Sequence, residues 1–403
     1  MSERPSTSTS TSSTAADPSA QARTERLRHY LEADPGNLAL QSELCDALLD
    51  AGQTQDALAV LEPALDARPD HAGLRYRQGV VQRRLAQFEA AKATLAALLQ
   101  DGAAAPAVLY ELACVHMLLS EPAPAAALLA QLAKAADYDA SFPDADFFLL
   151  RCLHQTAQVK EALAHGAALL ARGTSDPRVL GAMATLYIDD EQIEEAGKLL
   201  RSVAAQLPQD LAAPVQAELE SAGGFVALNA EDMALARRHF EASLKSDAQF
   251  GRSLLGLGLV HAVSGKLVQA QQLLQQTVQA MPSHLGSWHT LGWMQLAQDD
   301  IDGAEHNFAH ALALDPTFGE SHGGMALIAA LRGEHEQARE LCRTALRLDK
   351  NSMNVLAAQL VMQHGSLKSP EILKTALPLL AKRPGLNNSS LQDTLTRLSQ
   401  RQR

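Results

Sequence analysis

The two histidines of "HNFAH", His306 and His310, come closest to a reactive centre in this sequence. Residues i and i+4 share one face of a helix, a spacing with which two imidazoles can hold a zinc ion. A site would need a further ligand. Glu305 and His335 are conceivable, but spacing fixes neither. The plain alternative is two solvated histidines. Cys45, Cys114, Cys152 and Cys342 are scattered, with no CxxC pair. That argues against structural zinc or a disulfide framework, and for small buried side chains in a reducing compartment. No Gly-rich phosphate loop, HExxH or GxSxG is present. Neither an enzyme nor a cofactor is therefore expected. Binding chemistry is better supplied. "LRYRQGVVQRRLAQF" clusters arginines around Tyr76, and "SWHTLGWMQLAQDD" carries both tryptophans, Trp288 and Trp293, with His289 between them.

The elements that must position these groups are helices. Of 403 residues, 47% are apolar and only 4% aromatic, and Ala and Leu dominate, a helix-favouring bias. The net charge of −12 argues against duplex nucleic acid or an anionic membrane surface as partner. No segment has the roughly 18 unbroken apolar residues of a membrane span. Residues 1–22 are rich in Ser and Thr and lack the apolar core of a secretory signal, so a disordered tail is expected. A cytoplasmic protein follows, and the Ala- and Gln-rich composition suggests a bacterial one.

A period organises the rest. Ala57, Ala91 and Ala125 are 34 residues apart, as are Ala162 and Ala196, and then Ala236, Ala270, Ala304 and Ala338. Insertions of three and six residues follow 139 and 210. Each unit reads as two amphipathic helices joined by a polar turn. In 285–318, Trp288, Leu291, Gly292 and Gln295 fall at i, i+3, i+4 and i+7, and Ala304, Phe308 and Ala311 at i, i+4 and i+7. Asp315–Pro316 then ends the unit.

These residues resemble the tetratricopeptide repeat. Trp288, Leu291, Gly292, Ala304, Phe308, Ala311 and Pro316 stand where that family favours their types, and Gln295 departs from its Tyr. The resemblance implies an all-α fold, a right-handed superhelical solenoid of about nine to ten helix-turn-helix repeats. Nine units are expected over 38–352, starting at 38, 72, 106, 143, 177, 217, 251, 285 and 319. A capping helix at 23–37, a degenerate tenth repeat at 353–385 and a capping helix at 386–403 would flank them. The insertions would divide the units into stacks of three, two and four.

In this family the first helices line a concave groove. Counting each unit from its first residue, places 4, 7, 8 and 11 form the core face. Places 2, 5, 9 and 12 form a second stripe, roughly 130° around the helix. Near the C-terminal end this stripe carries Phe225, Leu228, Leu255, Leu259, His289, Trp293, Leu296 and Leu327. An apolar floor of this kind marks either a partner site or a surface that the chain's own tail covers. Nearer the N-terminus, the same stripe and its flank carry Tyr76, Arg83, Arg84, Tyr110, Met117, Phe147, Arg151 and His154. They suit an acidic or C-terminal carboxylate peptide, unless local acids pair them. The Lys/Asn clamp of chaperone-tail binders is absent: places 5 and 9 hold Ser42, Asp46, Tyr76, Val80, Tyr110 and Cys114.

The expected function is a non-enzymatic scaffold, adaptor or chaperone-like protein that takes a protein or peptide segment in the groove. The alternative is a self-associating structural protein of a larger bacterial assembly in secretion, envelope or export. Trp288 is expected in the core beside Leu291, Ala304 and Phe308, and Trp293 in the groove.

Overall fold

The computed structural model describes residues 18–366, except 103–104, 136–137, 205–206 and 209. Most of the expected tail, the second part of the degenerate repeat and the cap at 386–403 lie outside the described residues. Every described element is a helix. Helix α1 (Pro18–Ala33) comes first. First and second helices then alternate: α2 (Leu38–Asp50) and α3 (Thr54–Ala67), α4 (Ala72–Arg84) and α5 (Phe88–Gln100), α6 (Pro106–Leu118) and α7 (Pro122–Leu132). The four-residue α8 (Tyr138–Ser141) precedes α9 (Ala145–Gln155) and α10 (Val159–Ala171). There follow α11 (Pro177–Asp189) and α12 (Ile193–Val203), α13 (Ala213–Asn229) and α14 (Met233–Ser246), and α15 (Gly251–Val263) and α16 (Leu267–Ala280). The series ends with α17 (Leu285–Leu296) and α18 (Ile301–Leu314), α19 (Gly319–Leu331) and α20 (His335–Leu348), and α21 (Met353–His364).

One turn geometry closes every first helix. The fifteenth residue of each unit is left-handed: Gly52, Ala86, Ser120, Ala157, Glu191, Glu231, Gly265, Asp299 and Gly333 all have positive φ. The next amide bonds five residues back, as in Gln53 N to Leu48 O at 2.8 Å and Asp300 N to Gln295 O at 3.0 Å. This six-to-one bond satisfies a carbonyl that a helix end would otherwise leave bare. The turn sends the chain back along its own helix, and the twentieth residue meets the first helix at its closest approach. Alanine holds that place throughout, and all nine are fully buried, from Ala57 to Ala338 at 0%. A larger side chain there would push the two helices apart.

The chain divides into two compact units, one ending at His165 and the other beginning at Gly166. The division falls inside α10, not at either insertion, so the expected stacks of three, two and four are not the compact units.

In the unit from Gly166, two phenylalanines pin successive pairs. Phe240 and Phe308, both 0% exposed, stand at the same place of alternate units. A Cβ on Gly224 or Gly256 would lie 2.5 or 2.2 Å from the Phe240 ring. One on Gly292 or Gly324 would lie 2.8 or 2.7 Å from the Phe308 ring. Each ring is thus seated between a glycine of its own first helix and a glycine of the next. No side chain fits in those gaps.

Candidate functional site

In the unit ending at His165, the stripe and its flank carry paired charges among the aromatic residues. Arg83 forks onto Glu111, Nε to Oε2 at 2.6 Å and Nη2 to Oε1 at 3.2 Å. The Glu111 side chain is only 12% exposed, so the pair is partly desolvated and stronger than a surface contact. Arg77 forks onto Asp46 at 2.8 and 2.6 Å, and Arg75 reaches Asp101 at 2.6 Å. Arg84 donates to the carbonyl of Leu49 at the end of α2. Four of these arginines are committed inside the chain, which corrects the expectation of an open carboxylate receptor at Arg83 and Arg84. Tyr76, Tyr110, Met117, Phe147, Arg151 and His154 are all half-buried. Tyr110 lies 4.9 Å from Phe142 and 6.3 Å from Phe148 between ring centroids. Burial, then the charges of Glu111 and Asp46, push the Tyr76 hydroxyl up to about 12.

Between α7, α9 and α10 of this unit, a cleft of about 410 Å³ is lined by Ala126, Ala130, Leu149, Leu153, Glu161 and His165. His165 Nε2 meets Asp146 Oδ1 at 2.8 Å.

In the unit from Gly166, the stripe changes along its length. Phe225, Leu228, Leu255 and Leu259 are half-buried. Phe225 stands edge-on to Phe240 at 5.1 Å, and the Arg252 guanidinium lies 5.5 Å over its ring. Arg252 is itself forked onto Asp189 at 3.1 and 2.6 Å. Further on, three expected floor residues are buried: His289 at 9%, Leu296 at 7% and Leu327 at 0%. Helix α21 shares in covering them: Asn354 meets His289, and Val355, Ala358 and Val361 lie in one cluster with Leu296 and Leu327.

Helix α21 begins at 353, where the tenth unit is expected, and packs differently from the three first helices before it. Toward the preceding unit, helices α15, α17 and α19 pack more on its second helix than on its first. Helix α21 instead lies along the first helix α19 and meets α20 only marginally. Its N-terminus is held by Glu320, a stripe residue. That carboxylate accepts from Met353 N at 2.5 Å, Asn354 N at 3.0 Å and Ser352 Oγ at 2.9 Å. A negative charge at a helix N-terminus is well placed. A Cβ on Gly323 would lie 2.8 Å from the Asn354 Cβ and 3.1 Å from Val355 N, so glycine is what lets α21 settle.

Asn354 is buried and read on every side. Trp293 Nε1 donates to its Oδ1 at 2.8 Å, and its Nδ2 donates to the Glu320 carbonyl at 2.8 Å. With the amide so oriented, Nδ2 faces His289 Nδ1 at 3.4 Å. An amide nitrogen only donates, so Nδ1 accepts. The ring proton sits on Nε2, which faces Ser321 Oγ at 3.0 Å. Burial alone lowers the His289 pKa to about 4.

Trp288 also departs from expectation. Its indole donates to the Pro282 carbonyl at 2.8 Å, and its ring lies 4.0 Å from that of His310. It packs half-buried against Leu274, Val278 and Leu291, toward the preceding unit. The place beside Ala304 belongs to Phe308, and His289, at 5.3 Å between ring centroids, is one of its neighbours.

His306 is exposed, whereas His310 is occupied by Trp288. Among the described residues, no cluster of three or more His, Cys, Asp or Glu could hold a metal ion. None of the four cysteines is in a disulfide. Burial pushes the thiols of Cys45, Cys114 and Cys152 up to about 12, 11 and 11, away from nucleophilic character. Among the described residues, no helix is long and apolar enough to cross a membrane.

Tetratricopeptide repeat models match residues 20–75 and 48–113 in one form, and 224–284 and 289–352 in another. Together they span more than half of the chain. The chain belongs to the tetratricopeptide repeat family. Its repeats are protein–protein interaction modules, generally without catalytic activity. No curated protein matches the sequence. Among solved structures, a chain of the APC/C hetero-tetramer Cut9-Hcn1 is similar with TM-score 0.48 and 16% identity, over 95% of this chain and 93% of that one. A monomeric IFIT1 mutant with Gppp-AAAA is similar with TM-score 0.53 and 12% identity, over 96% of each. At 12% identity the second likeness concerns the fold alone.

Proposed function

We propose that this protein is a non-enzymatic scaffold, adaptor or chaperone-like protein, and that a partner segment docks on the first-helix stripe at Phe225, Leu228, Leu255 and Leu259. One observation carries the reading. The same stripe, further along at His289, Trp293, Leu296 and Leu327, already holds a helix, α21. A face that receives one helix has the width and apolar character to receive another. The net charge of −12 supports a protein partner over a nucleic acid. Unpaired cysteines support a reducing, cytoplasmic setting, which we propose is bacterial.

A photo-crosslinking residue at position 259 tests this, with one at the exposed Val268 of α16 (64%) as control. Discrete adducts are expected at 259 and not at 268. They should disappear when Leu255→Asp is added in a chain that keeps its helical signal. Equal labelling at both positions would sink the proposal. The second reading, self-association through this stripe, would show as an adduct of twice the chain mass.

A further inference from the structure

We propose that the face of α17 and α19 is a helix-docking groove with its own specificity, and that α21 is an intramolecular occupant which a partner helix displaces. This rests on the reading above, that the first-helix stripe binds a protein segment.

The seat has parts that a mere cap would not need. Burying an apolar face takes only Leu296, Leu327, Val355, Ala358 and Val361. The structure adds a reader for the N-terminus of the helix: Glu320 takes two backbone amides and the Ser352 hydroxyl. It adds a reader for one side chain, because the Trp293 indole and the Glu320 carbonyl fix the Asn354 carboxamide. It adds a backbone-width slot at Gly323. These half-buried polar groups find protein partners only when a helix with free N-terminal amides and a carboxamide is present. A helix lacking them leaves Glu320 and the indole unpaired, and that is how polar groups discriminate between ligands.

Among the described residues, the occupant is held chiefly by one helix. It packs along α19, meets α20 far less, and touches α17 through Asn354 on Trp293 and His289. It ends in a left-handed Gly365. An element with one principal packed neighbour tends toward the low-stability end of a fold. The partner this seat fits is an amphipathic helix. It carries Asn near its N-terminus, then branched or small apolar residues one, four and seven places on, as Val355, Ala358 and Val361 stand to Asn354. Acidic residues in its first turn would face Glu320 and are disfavoured.

The test uses the full chain and a fluorescent synthetic peptide of residues 351–366. In one variant, Val355→Asp with Ala358→Asp releases α21. The peptide is expected to bind that variant at least tenfold tighter than wild type, and adding Gly323→Val should abolish binding. Leu255→Asp with Leu259→Asp separates the two readings. It should remove partner crosslinks at the open stripe and leave peptide affinity within twofold. Native-state hydrogen exchange of the wild type supplies the second measurement: α21 amides should open at least tenfold more often than those of α19. Failure of the peptide to bind the released variant would overturn the proposal. So would global unfolding of that variant, or α21 exchange as slow as that of α19. Each of these would make α21 an integral part of the fold. A wild-type dimer formed by exchanging α21 between copies would also overturn it, assigning the seat to a second copy.

Discussion

Along one strip of the first helices, the two units handle the same geometric problem with different chemistry. In the unit ending at His165, places on or beside the strip hold Arg77, Arg83, Asp46 and Glu111, and these close on one another. In the unit from Gly166, the strip holds Phe225, Leu259, Trp293 and Leu327, which cannot satisfy themselves. Paired charges can face water without a partner, because the acids and bases arrive together. Apolar side chains at the same spacing need a cover. Over α17 and α19 the chain supplies one, and at Phe225 to Leu259 they remain half-exposed. The lesson is that the charged strip is finished as it stands, and the apolar strip is the one that calls for another helix.

That contrast can be broken at several points. Phe308→Ala should have the largest effect, about 3–5 kcal/mol lost in denaturant unfolding, because the ring alone fills the gap between Gly292 and Gly324. Leu95→Ala, at the same place in the other unit, should cost no more than about 2–5 kcal/mol. A larger loss at Leu95 than at Phe308 would remove the special dependence on glycine-seated rings.

Acid should act on one unit more than the other. The His289 pKa is lowered to about 4, so the native state stays neutral while the unfolded chain protonates near 6.5. The unfolded state then binds more protons, and stability falls as pH drops from about 6.5 to 4. The loss should be on the order of 3 kcal/mol at most. Unfolding midpoints at neutral and acid pH, with His289→Gln as control, would show the slope flatten in the variant. An unchanged slope would remove the buried imidazole from the account.

In the charged strip, Arg83→Met should cost about 1–3 kcal/mol, because it leaves the nearly buried Glu111 carboxylate unpaired. Adding Glu111→Gln should recover part of the loss. A double variant no better than the single one would show that the pair does not close the strip.

The smallest effect is a gain. Ala86 and Ala157 sit at φ 58° and 56°, where a Cβ is strained and glycine is not. Replacing each with Gly should stabilise the chain by about 0.5 kcal/mol, after the entropy that glycine costs the folded state. Thermal melting would detect the two together.

Much of this architecture was legible from spacing. The 34-residue alanine period locates the close helix contacts, because only a methyl group fits there. The angular argument that placed His289, Trp293, Leu296 and Leu327 on one stripe also found the residues that α21 covers. It could not find the cover itself. Twelve residues, eight of them apolar, in phase with the repeat look like the next first helix. What moves them onto α19 lies in Glu320 and Gly323, whose significance appears only when α21 is beside them. Trp288 misled for a related reason: the consensus place suggested core, but Phe308 already fills the gap that the glycines leave. The signal for that was present. Gly256 and Gly324 recur one unit after Phe240 and Phe308, small where the preceding ring is large.

The left-handed fifteenth residue has a further consequence, for how the chain tolerates length. The turn it closes is fixed by backbone bonds, so one residue inserted there would rotate the second helix by about 100°. That would carry its buried alanine out of the interface. Residues added between units carry no such penalty, since the next first helix can shift to accommodate them. Both natural insertions, after 139 and after 210, lie at such junctions. Loops, tags or grafted binding segments should therefore be accepted at the junctions and rejected at the turns, although both look equally exposed.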